Sequence, residues 1–473
     1  MIFSSFRFLV FFPIVLLFYY SNRNLRYRQY VLLLASYVFY ASWDPRFLSL
    51  ILFSTIIDYV VGIRLSSARS LSRRKGWLAA SIITNLGLLG FFKYANFFVD
   101  SFQGFMSLAG FEMDPIVLNI ILPVGISFYT FQTMSYSLDI YRNKIEPTRD
   151  FIEFALFVAF FPQLVAGPIV RAVELLPQIK RNVVTRWVDI SEGINRFALG
   201  FAKKILIADN LAPFVDHVFK DPSAFDTATL WTGIMGFTVQ IYCDFSGYTD
   251  MAIGAGRMMG FRLPENFRFP FTSLNVTEFW RRWHITLYSF MRDYLYFSLG
   301  GSRAGPLRVI FNALLTMTLV GFWHGANWQF LAWGFYNGVL LVLYPLVMMG
   351  IKRVTPLKLF LSSIPGKVFA VFLTNFSILY GLAFFRCQTI TDALVMMKRL
   401  VCFDSLGKHE VDSWVLGLFG MVLLINLACE FSLPSRIKER TPLWVRYIAF
   451  ATLIYVLVLF GAHDTQAFVY FQF

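Results

Sequence analysis

The chain has 473 residues, a formal net charge of +14, 57 % hydrophobic residues and only 15 % charged ones, where soluble domains carry about 25 %. That shortage of charge excludes a string of soluble domains, and the long unbroken apolar blocks exclude the period-two pattern of an outer-membrane barrel. Disorder is excluded by the same composition. What remains is an all-α polytopic integral membrane protein, with membrane lipid as its solvent. The positive charge is divided among the loops between hydrophobic blocks, as in cytoplasmic loops of membrane proteins, so no nucleic-acid partner is expected.

The first apolar run, residues 1–20, contains only Arg7 and is followed by Arg23, Arg26 and Arg28. A cleavable signal would carry its charges in front, so this run reads as a retained span with its N-terminus outside. Trp43-Asp44-Pro45 reads as an outer turn, the basic stretch 64–75 as cytoplasmic, and the acidic stretch 100–114 as outer. A span over 116–138 then leads to the basic residues Arg142, Lys144 and Arg149. The apolar segment 151–170 has basic flanks on both sides, which one crossing cannot satisfy. It is expected to enter and return, breaking at Gly167-Pro168 and lining a cavity, because irregular backbone at membrane depth needs polar surroundings. Further basic loops at 262–282, 303–308, 352–358 and 436–446 lead to a last span over 447–460, with the C-terminus outside. The count is roughly 11 spans of about 20 residues, with re-entrant and short amphipathic helices. No internal repeat is visible, and residues 1–473 read as one membrane unit ending in an aromatic tail at 467–473.

Polar residues inside such segments are costly and therefore candidates for function. They are densest over 240–328. Asp244 and Asp250 lie six apart in an apolar run and read either as braces paired with Arg257 or Arg262, or as a cation site. His324 sits where an apolar helix from about Val309 meets a second one starting at Trp328, broken by Gly325-Ala326-Asn327. Two roles suit it: a neutral imidazole that accepts a proton from a hydroxyl, or a hydrogen-bonded fastener between the helices. His284 follows Arg281 and Arg282 and reads equally as an interfacial anchor. His217, His409 and His463 have no partners in sequence and read as solvated. Cys243, Cys387, Cys402 and Cys429 show no metal-ligand spacing; a Cys387–Cys402 pair is open beside the plainer reading of buried free thiols. No Walker, GxSxG, HExxH or dinucleotide pattern is present, and no metal is expected.

Several blocks in order resemble the membrane-bound O-acyltransferase family, and within it the bacterial branch that modifies alginate and teichoic acids. They are Leu122-Pro123-Val124-Gly125-Ile126-Ser127-Phe128-Tyr129, Phe161-Pro162-Gln163 with Gly167-Pro168, Asp244-Phe245-Ser246-Gly247-Tyr248, the stretch 280–284 with Arg292-Asp293-Tyr294, and the stretch 321–328. The resemblance implies helices around a central tunnel, with the family's invariant active-site histidine at His324 and a second catalytic position at His284. Asn327 and Asp244 would support that site, and Arg281 and Arg282 would attract the phosphates of the donor or simply belong to a positive-inside loop.

The same resemblance implies transfer of an acetyl group from a cytoplasmic thioester, acetyl-CoA or another acyl thioester, with no bound cofactor. The final acceptor would be an extracytoplasmic polysaccharide such as alginate, reached through a periplasmic serine-hydrolase-type acetyltransferase partner. The setting is the bacterial cytoplasmic (inner) membrane, with both termini outside. Tyr470, the hydroxyl of the aromatic tail, would carry the acyl group as a relay; the plainer reading is an interfacial anchor. A transporter or flippase, expected to show two similar halves, and a lipid-directed O-acyltransferase are the alternatives.

Overall fold

A computed structural model describes residues 1–111, 114, 118–303, 305–351, 353–403, 406–462 and 468. The described residues form helices and turns, with one isolated bridge between Phe225 and Lys408 and no strand. Among the described residues, seven helices are long and apolar enough to cross a membrane, and the shorter apolar helix Phe6–Ser21 accompanies them. The protein is a multi-pass membrane protein. These seven are fewer than the roughly 11 spans expected, and helices such as Ile126–Tyr141, with 16 residues, fall below the length of a crossing. The chain divides into two compact units, Met1–Ala198 with Tyr248–Pro264, and Leu199–Gly247 with Glu265–Phe473.

In the first unit, Leu48–Ser67, Leu71–Leu89 and Ile126–Tyr141 meet at a buried carboxylate. Asp58 accepts hydrogen bonds from Ser81, from Ser137 at 2.8 Å and from Asn85 at 2.6 Å. These neutral donors satisfy a charge that would otherwise be costly among apolar helices. Asp250 is braced by Arg196 at 3.0 Å, and Arg257 by Glu192 and Asp189. Bracing is thus the role of Asp250, with a different partner from the expected Arg257 or Arg262.

Two boundaries differ from expectation. The helix expected from 116 begins only at Ile126; residues 112, 113 and 115–117 lie outside the described residues. Pro123 and Gly125 delay it. Gly125 has φ +77°, and a Cβ there would meet the Leu164 carbonyl oxygen at 2.7 Å, so only glycine fits. Segment 151–170 does break, but earlier than Gly167. Its first helix, Phe151–Ala159, ends because Pro162 lacks an N–H and its ring would clash with the carbonyl four residues back. At nine residues, about 14 Å, that helix is too short to cross. Gly167 then turns the chain so tightly that a Cβ would meet Gln163 Cα at 2.6 Å.

The second unit carries the helical hairpin of Pro306–His324 and Trp328–Ile351. Its two backbones touch. A Cβ on Gly321 would lie 2.1 Å from the Phe330 carbonyl oxygen, and one on Gly334 would lie 2.3 Å from that of Met317. Small residues at such crossings are how membrane helices gain close packing. Lys204, in a π-helical turn over Lys203–Ala208, is 3 % exposed on its side chain and pairs with Asp209 at 2.8 Å and Asp244 at 2.7 Å.

Candidate active site

His284 is built by a turn between two short helices, Val276–Arg282 and Ile285–Phe290. Its backbone lies in the left-handed region, φ 43° and ψ 53°, where a residue with a Cβ is strained by about 1–2 kcal/mol. The strand of loop around Asn266 holds this conformation. The Ile285 N–H donates to the Asn266 carbonyl at 2.9 Å, and the Arg268 N–H donates to the Arg282 carbonyl at 2.9 Å. Strain kept in place by such over-determined contacts is typical of functional positions.

His324 is the last residue of the Pro306–His324 helix, 3 % exposed, with its ring edge-on to Trp333 at 5.2 Å and Phe385 at 5.4 Å. The neighbouring Trp323 ring meets His324 at 5.0 Å and His284 at 6.1 Å. The two histidines also share a cavity of about 910 Å³. One wall is a single face of the Pro306–His324 helix, running through Val309, Ala313, Met317 and Val320 to His324. That wall is about 27 Å long at 1.5 Å per residue, close to the thickness of a bilayer core. Met291, Arg292 and Tyr296, from a π-helical turn over Met291–Tyr296, line the cavity as well; π-turns recur at functional sites. Exposed Arg281, Arg292 and Arg303 also line it. The arrangement can take a molecule with an apolar body and an anionic end, and present it to two imidazoles.

The structure brings together His284, His324 and Arg281. Arg282 is not among the lining residues. Its guanidinium is held by Glu278 at 2.6 Å and Glu430 at 2.5 Å and donates to Thr272 at 2.9 Å, so its charge is already used. Arg281 makes no ion pair with any described residue, whereas Arg292 pairs with Asp293 at 2.7 Å. Asn327 is exposed and does not line the cavity. Its Oδ1 accepts from the Trp328 N–H at 2.8 Å, and its carbonyl accepts from Phe330 at 3.2 Å, so it starts the following helix. Asp244 is buried in the pair with Lys204 and is likewise absent from the lining. The expected cavity wall at 151–170 is not part of this cavity, whose lining runs from Thr277 to Leu346.

His217 and His409 are partnered, by Glu410 at 2.9 Å and Asp226 at 2.6 Å. No disulfide forms among the described residues: Cys387 is buried and Cys402 exposed. Tyr470 and His463 lie outside the described residues. Within the tail Phe468 is described: it is 1 % exposed, with its ring 5.6 Å from that of Phe245. Phe245 in turn stands edge-on to His284 at 4.6 Å. Sequence reasoning passed over Asn266, although it lay in the polar stretch; its contacts with His284 and Thr286 come from the folded loop.

Comparison with known proteins identifies the family. Residues 46–385 match the model of the membrane-bound O-acyltransferase family. The chain is 43 % identical over 426 residues to the probable alginate O-acetylase AlgI of Azotobacter vinelandii, covering 87 % of this chain and 81 % of that one. It is 47 % identical to the protein of the same name in Pseudomonas aeruginosa, covering 72 % of this chain and 66 % of that one. The peptidoglycan O-acetyltransferase of Helicobacter pylori is 36 % identical, with 80 % and 74 % covered. By the matched span and these identities, this chain belongs to the membrane-bound O-acyltransferase family and is an acyltransferase.

Proposed function

We propose that the protein takes an acetyl group from a cytoplasmic thioester, acetyl-CoA or another acyl thioester, and delivers it across the bacterial inner membrane for O-acetylation of a polysaccharide such as alginate. The observation that carries this reading is that one cavity is lined by both His324 and His284 and by Arg281, Arg292 and Arg303. The arginines suit the phosphates of a thioester donor, and the apolar wall suits its arm. The names of the relatives support an acetyl group and a polymer acceptor. Both termini are assigned to the extracytoplasmic side from the loop charges.

The chemistry needs a base and a site for the developing charge. An acceptor hydroxyl gives its proton to an imidazole as its oxygen bonds to the acyl carbon. The tetrahedral intermediate then expels the thiolate, which takes the proton back. His324 and His284 share the tasks of moving the proton and steadying the oxyanion. The acceptor we assign is the phenol of Tyr470, whose ester passes the acetyl to a serine hydroxyl of a periplasmic partner of the serine-hydrolase type. Supporting this, Phe468, two residues earlier, is buried against Phe245 beside His284.

Tyr470→Phe tests the relay, since it keeps the ring and deletes only the hydroxyl. Mass spectrometry of surface glycans should find acetyl esters lost in the variant while the protein still binds its donor. Full polymer acetylation by Tyr470→Phe would contradict the relay and leave direct transfer to the partner serine.

A further inference from the structure

We propose that Asn266 is a positioning residue that fixes the tautomer of His284, leaving the lone pair of Nε2 as the proton acceptor at the cavity. The inference rests on the acyl-transfer reading of the site and assigns a division of labour within it. Asn266 is fully buried. Its Oδ1 accepts from the Thr286 N–H at 3.2 Å and from the Thr286 hydroxyl at 2.7 Å, and lies 3.3 Å from His284 Nδ1. A backbone N–H can only donate, so the side-chain atom facing Thr286 N is the amide oxygen and not the nitrogen. An oxygen there requires Nδ1 to carry the hydrogen. In a neutral ring Nε2 is then unprotonated.

Two further observations separate this from simple bracing. His284 Nε2 and Asn266 Nδ2 are both buried, and neither has a hydrogen-bond partner among the described residues. A buried amide nitrogen left unpaired is destabilising, a cost that a bracing residue has no reason to carry. An imidazole nitrogen without a protein partner, on a ring that lines the cavity, is free to meet a hydroxyl proton. The left-handed backbone of His284 is pinned by the same residue, through the Ile285 N–H and the Asn266 carbonyl. Asn266 therefore sets both the direction of the ring and the location of its hydrogen.

The measurement is the pair of imidazole ¹⁵N chemical shifts in histidine-labelled protein in lipid. With five histidines in the chain, His284→Gln assigns the resonance. The expected wild-type form of His284 is hydrogen on Nδ1 and a lone pair on Nε2. Asn266→Ala should mix the tautomers and lower kcat about 100-fold or more, as a wrongly oriented catalytic imidazole does, with the KM for an acetyl thioester within about twofold. Asn266→Asp keeps the acceptor oxygens and adds a charge that favours imidazolium. Its acid limb in the rate profile should therefore move to higher pH by about one unit or more, with activity recovering at alkaline pH.

The titratable and charged groups sharing the cavity are Arg281, Tyr288, Arg292, Tyr296, Arg303 and His324, while the Thr227–Met258 helix presents the apolar Phe245. All of them are unchanged in Asn266→Asp, so the shift of its acid limb reports on His284. A hydrogen on Nε2 in the wild type overturns the assignment. So does an Asn266→Asp variant with the wild-type pH profile, which decides the matter even where Asn266→Ala does not fold. Full activity in His284→Gln, with the tautomer as expected, would instead overturn the catalytic reading of His284.

Discussion

Two adjacent arginines, identical in sequence terms, have different fates. Arg281 lines the cavity, and Arg282 is spent on Glu278 and Glu430. Arg281→Gln should raise the KM for a thioester donor about tenfold, the loss of one charged hydrogen bond, with kcat unchanged. Arg282→Gln should leave that KM alone and lower the melting temperature instead; steady-state kinetics and thermal denaturation in detergent separate the two. The sequence could not make this distinction, because Glu430 lies 148 residues away. His324 was legible because a Gly-Ala-Asn break after an apolar helix signals an imidazole at a helix end. Asn327 was misplaced for the same reason. A residue that breaks a helix also caps the next one, and its Oδ1 is occupied by that task.

Among elements, the hairpin that carries His324 depends on glycine. Gly321 is one turn before the histidine, and a methyl there collides with the Phe330 carbonyl. Gly321→Ala should therefore destabilise the protein by about 1–3 kcal/mol and reduce acyl transfer as the helix shifts, measured together as melting temperature and turnover. The Phe151–Ala159 helix shows a different control. Asp150 caps it, accepting from Ile152 and Glu153, and the Arg26 guanidinium beside it holds its carboxyl below the usual range. A carboxyl depressed in the folded state contributes stability above its unfolded pKa of about 3.9 and loses it as pH falls. Asp150→Ala should cost about 1 kcal/mol at neutral pH, and the gap from wild type should close in melts run at progressively lower pH. That segment 151–170 breaks was legible from its basic flanks. The early break at Phe160 was not, because Gly167-Pro168 offered a stronger signal than a single buried Pro162.

For the whole molecule, charge and hydropathy announced an all-α membrane protein, and seven long apolar helices agree. The full number of spans was less legible. Helices that are short, or that carry a buried carboxylate such as Asp244, lose the plain apolar signature while gaining internal partners. A cavity lined by His324 was legible in the sequence, and segment 151–170 is not among its walls, since a re-entrant segment can be satisfied by packed protein as well as by water. The central claim is that acyl transfer occurs at the imidazoles lining this cavity. Its most direct test is the single-turnover rate of acetyl transfer from a labelled acetyl thioester by purified His324→Ala, which removes one of the two imidazoles from the cavity. The account predicts a fall of about 100-fold or more with donor affinity retained; a correctly folded variant turning over at the wild-type rate would contradict it.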